Sequence, residues 1–267
     1  MQQKYAEAAQ ALQPIYTDTA LFDRGYQLLG NCYDLMDDSA RSMPIYREGL
    51  VRYPKSGRLH YELGAAAMVD GEIRQAFEWW VKGTQAEPQF PTNYYWICKS
   101  LSATQYKIWS VFYGELFLNL ERATTRTKEI SEILYITWTA AMRLGDTVDP
   151  INFCPDELLD EPSPYGPTEM NFATAFEFTV ATSSQQFIPD SGVVKRLSIA
   201  QLVETRRTFI KAWEAAGYLT KYPNTIFDWH AKMAKSGWLD EYLWWLYAYG
   251  DKKEMTQYFR KNEGRYD

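Results

Sequence analysis

Residues 23–34 read DRGYQLLGNCYD and residues 57–68 read GRLHYELGAAAM; each is followed by a second segment, SMPIYREGLVRYP at 42–54 and AFEWWVKGTQAEP at 76–88. Leu29-Gly30 recurs as Leu63-Gly64, and Pro54 recurs as Pro88, both at an interval of 34 residues. Self-similarity at that period is the signature of stacked helix-turn-helix units. With Asp23 as position 1, Tyr26, Leu29, Gly30 and Tyr33 occupy positions 4, 7, 8 and 11, and Ser42, Tyr46, Gly49 and Pro54 occupy 20, 24, 27 and 32. Small residues at 8, 20 and 27 let two helices touch, bulky ones fill the remaining space, and the proline ends the second helix.

The second unit, 57–90, carries Leu63, Gly64, Ala67, Ala76, Trp80, Gly83 and Pro88 in the same places, with Asp70-Gly71 as its turn. His60 falls in a bulky position and reads as a packing residue. Residues 91–120 form a fading unit: Tyr94, Ile97, Cys98 and Leu101 are in register, whereas Trp109, Phe112, Tyr113, Leu116 and Leu120 keep helical spacing only. Upstream, Ala8, Leu12 and Ile15 place 4–22 as the second half of a unit whose first helix is missing, so an apolar face is expected there, to be covered by a trimmed upstream segment or by another chain.

These motifs resemble the tetratricopeptide (TPR) repeat, which implies an all-α, right-handed superhelix over 1–120. In such stacks the first helix of each unit lines a concave wall, at positions 2, 5, 9 and 12. That rule nominates Arg24, Gln27 and Asn31, then Arg58 and Tyr61, then Tyr95 and Lys99 as peptide-binding residues. Cations, amides and flat rings suit an extended peptide carrying some negative charge. TPR domains that hold chaperone tails use a Lys/Asn, Asn, Lys/Arg clamp at positions 5 and 9. Only Asn31 and Lys99 agree with it, so a chaperone tail is not the expected ligand. The run from Tyr94-Tyr95-Trp96 to Asn119-Leu120-Glu121-Arg122, and the segment from Tyr222-Pro223-Asn224 onward, also resemble uncharacterised bacterial proteins in which TPR repeats precede a helical C-terminal region. Many members of that group carry an export signal, which implies a possible site outside the cytoplasm.

Residues 121–267 read as that helical region. Ile130, Leu134, Trp138 and Ala141 line one face of a helix over 125–144, closed by Gly145. Five prolines between 146 and 167 predict a surface connection. Residues 168–182 fit either a helix or a strand, and a helix is preferred because a lone strand would have no partner. Ser198 with Gln201 forms a capping box that opens a helix to Ala216, stopped by Gly217; Gly237 ends a helix over 225–236, Gly250 ends one over 239–249, and a last short helix covers 252–261.

The net charge of -6 lacks the basic face that phosphate backbones need, so nucleic acid is not an expected partner. No apolar run approaches the roughly 18–20 residues that span a bilayer. Cys32, Cys98 and Cys154 follow no metal or disulfide spacing and read as free buried thiols. Ten Trp and twenty Tyr read mainly as interhelical knobs. No phosphate-cradling loop, nucleophile elbow or zinc-protease motif occurs, so neither catalytic residues, nor a metal, nor a cofactor is expected. The sequence therefore points to a non-catalytic protein- or peptide-binding scaffold. The alternatives are a small-ligand or glycan binder using Trp79, Trp244 or Trp245, which requires several Trp in one open cleft, and a hydrolase built on an acid pair or a Cys-His pair.

Overall fold

The computed structural model describes residues 2–144, 151–188 and 196–263. Every regular element among them is helical, and the one β feature is an isolated bridge between Met142 and Ile151. The chain divides into two compact units, Met1–Ile97 and Cys98–Asp267.

The first unit contains α1 (Gln2–Leu12), α2 (Phe22–Asp34), α3 (Ser39–Arg52), α4 (Gly57–Val69), α5 (Ile73–Ala86) and the start of α6 (Pro91–Leu101). Local chemistry sets the helix starts. Asp38 accepts from the Arg41 amide at 3.1 Å and Ser56 from the Leu59 amide at 3.1 Å, each cap being worth about 0.5–2 kcal/mol. Ser56 also donates to Asp23 at 2.6 Å, which ties the start of α4 to α2. The two units of the sequence repeat are built alike. A Cβ on Gly30 would sit 2.2 Å from the Tyr46 ring, and one on Gly64 would sit 2.3 Å from the Trp80 indole, so in both units the glycine admits a large ring of the following helix. Gly49 packs in the same close way against Leu59 and Tyr26. At the turn after α4, Gly71 has φ +79, which L side chains rarely adopt.

Two expectations for this region change. The open side of α1 is polar: Gln2, Gln3, Lys4, Glu7 and Gln10 are exposed, while Ala8, Ala9 and Leu12 pack on Leu29, Cys32 and Tyr33; of the three apolar residues named for this face, Ile15, just after the helix, is the exposed one. The unit boundary falls inside α6 rather than after residue 120, so the second helix of the fading repeat belongs to the second unit.

That second unit holds α7 (Lys107–Leu120), α8 (Thr125–Ala141), α9 (Asp156–Leu159), α10 (Phe172–Ser184), α11 (Ile199–Ala215), α12 (Tyr218–Lys221), α13 (Thr225–Ser236), α14 (Leu239–Leu246) and α15 (Lys252–Lys261). Residues 168–182 thus contribute a helix. The expected capping box at Ser198 and Gln201 is present, and Glu254 of α15 accepts from the Ile199 and Ala200 amides at 2.8 Å each. A carboxylate there meets the positive end of the α11 dipole. The core is aromatic: Trp138, Phe153, Phe176, Phe209, Trp213 and Phe227 are almost wholly buried, with ring centroids such as Trp138–Phe153 at 4.7 Å. Each such pair adds about 0.5–1.5 kcal/mol beyond area burial.

The proline-rich connection is not wholly superficial. Ile151, Phe153, Cys154 and Pro155 are buried, the Phe153 and Cys154 amides donate to Glu177 at 2.7 and 2.8 Å, and Asn171 donates to the carbonyls of Leu158, Leu159 and Glu161. An apolar residue among prolines was available to plug the core, and spacing alone does not reveal that. Gly145 and part of the connection (145–150) lie outside the described residues.

Candidate functional site

In the first unit, α2 and α4 pack side by side, and the sequence-nominated amides meet at a residue that periodicity passed over. Glu62 is buried, with Gln27 Nε2 donating to its Oε1 at 2.5 Å and Asn31 Nδ2 donating to the same oxygen at 3.3 Å. Arg58 donates to Gln27 Oε1 at 3.1 Å and lies 3.8 Å from the Asp23 carboxylate. The Tyr46 hydroxyl is 2.6 Å from both Asn31 Oδ1 and Asp34 Oδ2, and its single proton is shared between them. Arg58, Gln27, Glu62, Asn31 and Tyr46 therefore form one continuous polar row. Burial pushes the Glu62 carboxyl up, against the lowering effect of the Gln27 and Asn31 donors, and the Asp34 charge adds to the rise.

The remaining nominated residues are placed unevenly. Arg24 is exposed and lies one turn before Gln27 on α2. Tyr61 is half-buried, with its ring stacked on Trp96 at 6.4 Å and its carbonyl accepting from the Trp80 indole at 3.3 Å. Tyr95, expected as a flat contact on the wall, is only 6% exposed and turns its ring edge-on to Trp96. Lys99 belongs to the second unit, where it pairs with Glu129 at 2.7 Å. His60 packs as expected, its Nδ1 2.7 Å from the Ser56 carbonyl oxygen and its ring against Trp79.

The second unit carries a constellation that no motif announced. Glu115 of α7, Arg206 of α11 and His230 of α13 are 3%, 3% and 1% exposed. Arg206 donates to Glu115 Oε2 at 3.0 Å, to the Tyr247 hydroxyl at 2.7 Å and towards His230 Nδ1 at 3.3 Å, and its guanidinium lies 4.4 Å from the Trp138 ring centre. A guanidinium only donates, so Nδ1 is the acceptor and the proton of a neutral ring sits on Nε2, which donates to Glu115 Oε1. Tyr242 donates to that same oxygen at 3.0 Å and accepts from Asn119 Nδ2 at 2.7 Å. Burial opposes ionisation of Glu115, but His230 and Arg206 outweigh it, so its carboxyl lies well below the usual range. Burial lowers the His230 ring, and the Arg206 charge works in the same direction.

With both His230 nitrogens and three donors committed around one carboxylate, this network holds positions. Its outer edge is the floor of a cleft of about 450 Å³ between α7 and α13, lined by Glu115, Asn119, Tyr242 and Trp229 among others. Other clefts of this unit have Trp245 (about 600 Å³) and Trp109 (about 530 Å³) as their tryptophans. Each of these three clefts thus holds one tryptophan, and Trp244 is buried against Tyr258 with ring centroids 4.0 Å apart.

All three thiols are free and buried, and burial pushes Cys98 up to about 12. Among the described residues no group of three His, Cys, Asp or Glu is placed to hold a metal ion, and no helix is long and apolar enough to cross a membrane. No family model, curated protein or solved structure matches the chain.

Proposed function

We propose that the first unit is a TPR-type binding scaffold that captures an extended segment of a partner protein along the face shared by α2 and α4. The observation that carries this reading is the polar row through Arg58, Gln27, Glu62 and Asn31. Gln27 and Asn31 each spend one amide N–H on Glu62 and keep a second, the donor that main-chain carbonyls of an extended segment need. Because these side chains are already held by one another, binding costs little further rotamer entropy, which is about 0.5–1.5 kcal/mol for each long side chain immobilised. Exposed Arg24 and half-buried Tyr61 add an anion contact and a flat apolar one. The recurrence of the Gly30–Tyr46 contact as Gly64–Trp80 supports the repeat reading on which the groove rests.

Crosslinking and mass spectrometry in native extract test this. Crosslinks from a partner should fall on α2 and α4, and should be lost in an Arg58→Ala/Tyr61→Ala double variant that keeps its helical content. A partner captured equally well by that variant would overturn the assignment.

A further inference from the structure

The Glu115 network has a feature that core stability does not require. A buried carboxylate–guanidinium–imidazole set is no more stabilising than apolar side chains of the same volume, and the Phe and Trp residues around it show that this unit readily builds such a core. What the network adds is a rigid polar floor. Asn119 spends both N–H groups, one on the Glu115 carbonyl at 2.9 Å and one on the Tyr242 hydroxyl at 2.7 Å. Its Oδ1 remains as an acceptor on the cleft.

Above that floor the cleft changes character. Leu116, Ile226 and Trp229 supply apolar surface; Trp229 is 44% exposed, and its ring is held edge-on to Tyr242 at 6.4 Å. Arg122 and Lys232 are exposed at the same cleft, Arg122 resting over Trp245 at 5.4 Å and Lys232 making no ion pair among the described residues. Asp228 is the one exposed anion among the lining residues, and the Glu115 charge is already met by Arg206, so two cations face one uncommitted anion. A volume of about 450 Å³ is in the range of small-molecule sites, which run from about 300 to 1,000 Å³.

We propose that this cleft binds a small organic anion made of a flat ring and a carboxylate or phosphate group. The ring lies on Trp229, the anionic group meets Arg122 and Lys232, and an N–H or O–H donor of the ligand meets Asn119. The site lies wholly in the second unit and is independent of the peptide-binding face proposed for the first.

Saturation-transfer NMR and calorimetry with 2-naphthoate, phenylpyruvate and phenyl phosphate test it, with neutral 2-naphthamide as the control. At least one anion should bind, with affinity falling as salt is raised. Arg122→Ala/Lys232→Ala should weaken that anion about tenfold or more, and Trp229→Ala should weaken it as well. These side chains are exposed, so melting and circular dichroism should stay as in the parent protein. The proposal is overturned if none of the three anions shows saturation transfer, if 2-naphthamide binds as tightly as 2-naphthoate, or if the cation variants leave the affinity unchanged.

Discussion

Replacing Arg206 by Met probes the second unit at its centre. The substitution keeps a long side chain against Trp138 but removes the donors to Glu115, Tyr247 and His230. Glu115 would keep only the His230 and Tyr242 donors and no cation. Removing one partner of a buried ion pair costs about 3–5 kcal/mol. At about 1.36 kcal/mol per pKa unit, that equals a rise of roughly 2–4 units in the Glu115 carboxyl. The loss of stability in acid that Glu115 causes should therefore disappear or invert. In the parent protein both Glu115 and His230 titrate lower folded than unfolded; the stability they confer is full above the unfolded His value, about 6.5, and drains as pH falls through that value and then the unfolded Glu value, about 4.3. In Arg206→Met the Glu115 carboxyl rises from about 2 to roughly 4–6, so its contribution no longer drains in acid and, where it passes the unfolded value of about 4.3, is lost as pH rises through about 4–6. Hydrogen exchange of α11 and α13 amides at about pH 5 and about pH 7.5, corrected for intrinsic rates, reads the two slopes separately from the first unit. A Glu115→Leu/Arg206→Met double variant should recover part of the loss, because it buries no lone charge. The reasoning fails if Arg206→Met costs under about 1 kcal/mol at both pH values, or if acid destabilises it more than the parent.

Three further outcomes follow from the same structure. Glu62 is raised when folded, so the first unit should lose stability as pH climbs through the folded Glu62 value; Glu62→Gln should flatten that slope, as read by urea unfolding at about pH 5 and about pH 8. Gly64→Ala places a Cβ 2.3 Å from the Trp80 indole and should cost about 1–3 kcal/mol in thermal unfolding by overpacking; Gly30→Ala should behave alike, and an exposed control such as Gln75→Ala should be close to neutral. The thiols of Cys32, Cys98 and Cys154 should stay unreactive to a thiol reagent in the folded protein and titrate fully in guanidinium, since all three are buried and burial raises each.

The helices were legible in the sequence where spacing alone decides them. The recurrence at 34 residues located the close contacts of Gly30 with Tyr46 and of Gly64 with Trp80, because a glycine opposite a large ring is a constraint between near neighbours. Ser198 with Gln201 announced its cap for the same reason. The wall residues were partly legible: Gln27, Asn31 and Arg58 do meet, but Tyr95 does not face outward, since one residue of register on a half-polar helix decides burial. Glu62 went unnoticed because a repeat template weighs small and bulky positions and treats a glutamate as solvent-facing. Nothing linear could assemble Glu115, Arg206, His230 and Tyr242, which come from α7, α11, α13 and α14. The hint available was that His230, one of two histidines, sits on an apolar helix face beside Phe227.

Two of the buried carboxylates, Glu62 and Glu115, differ in physical role. Among the described residues Glu62 has amide donors and no cation within hydrogen-bonding distance, so its proton is held more tightly than usual and its neighbours keep hydrogen-bonding capacity to spare. Glu115 is matched by a guanidinium, an imidazole and a phenol, so its charge is settled inside the fold and its neighbours have donors committed to it. A row with spare donors suits the proposed recognition of a backbone, where many similar carbonyls must be met along a length. A floor whose one open group is the Asn119 Oδ1, beneath a walled cleft, suits the proposed recognition of one compact ligand, where a single position must be held. Arg122, Lys232 and Trp229 supply at the second site the charge and the flat surface that the floor itself does not offer, which is why the ligand assigned there is an anion with a ring rather than a second peptide.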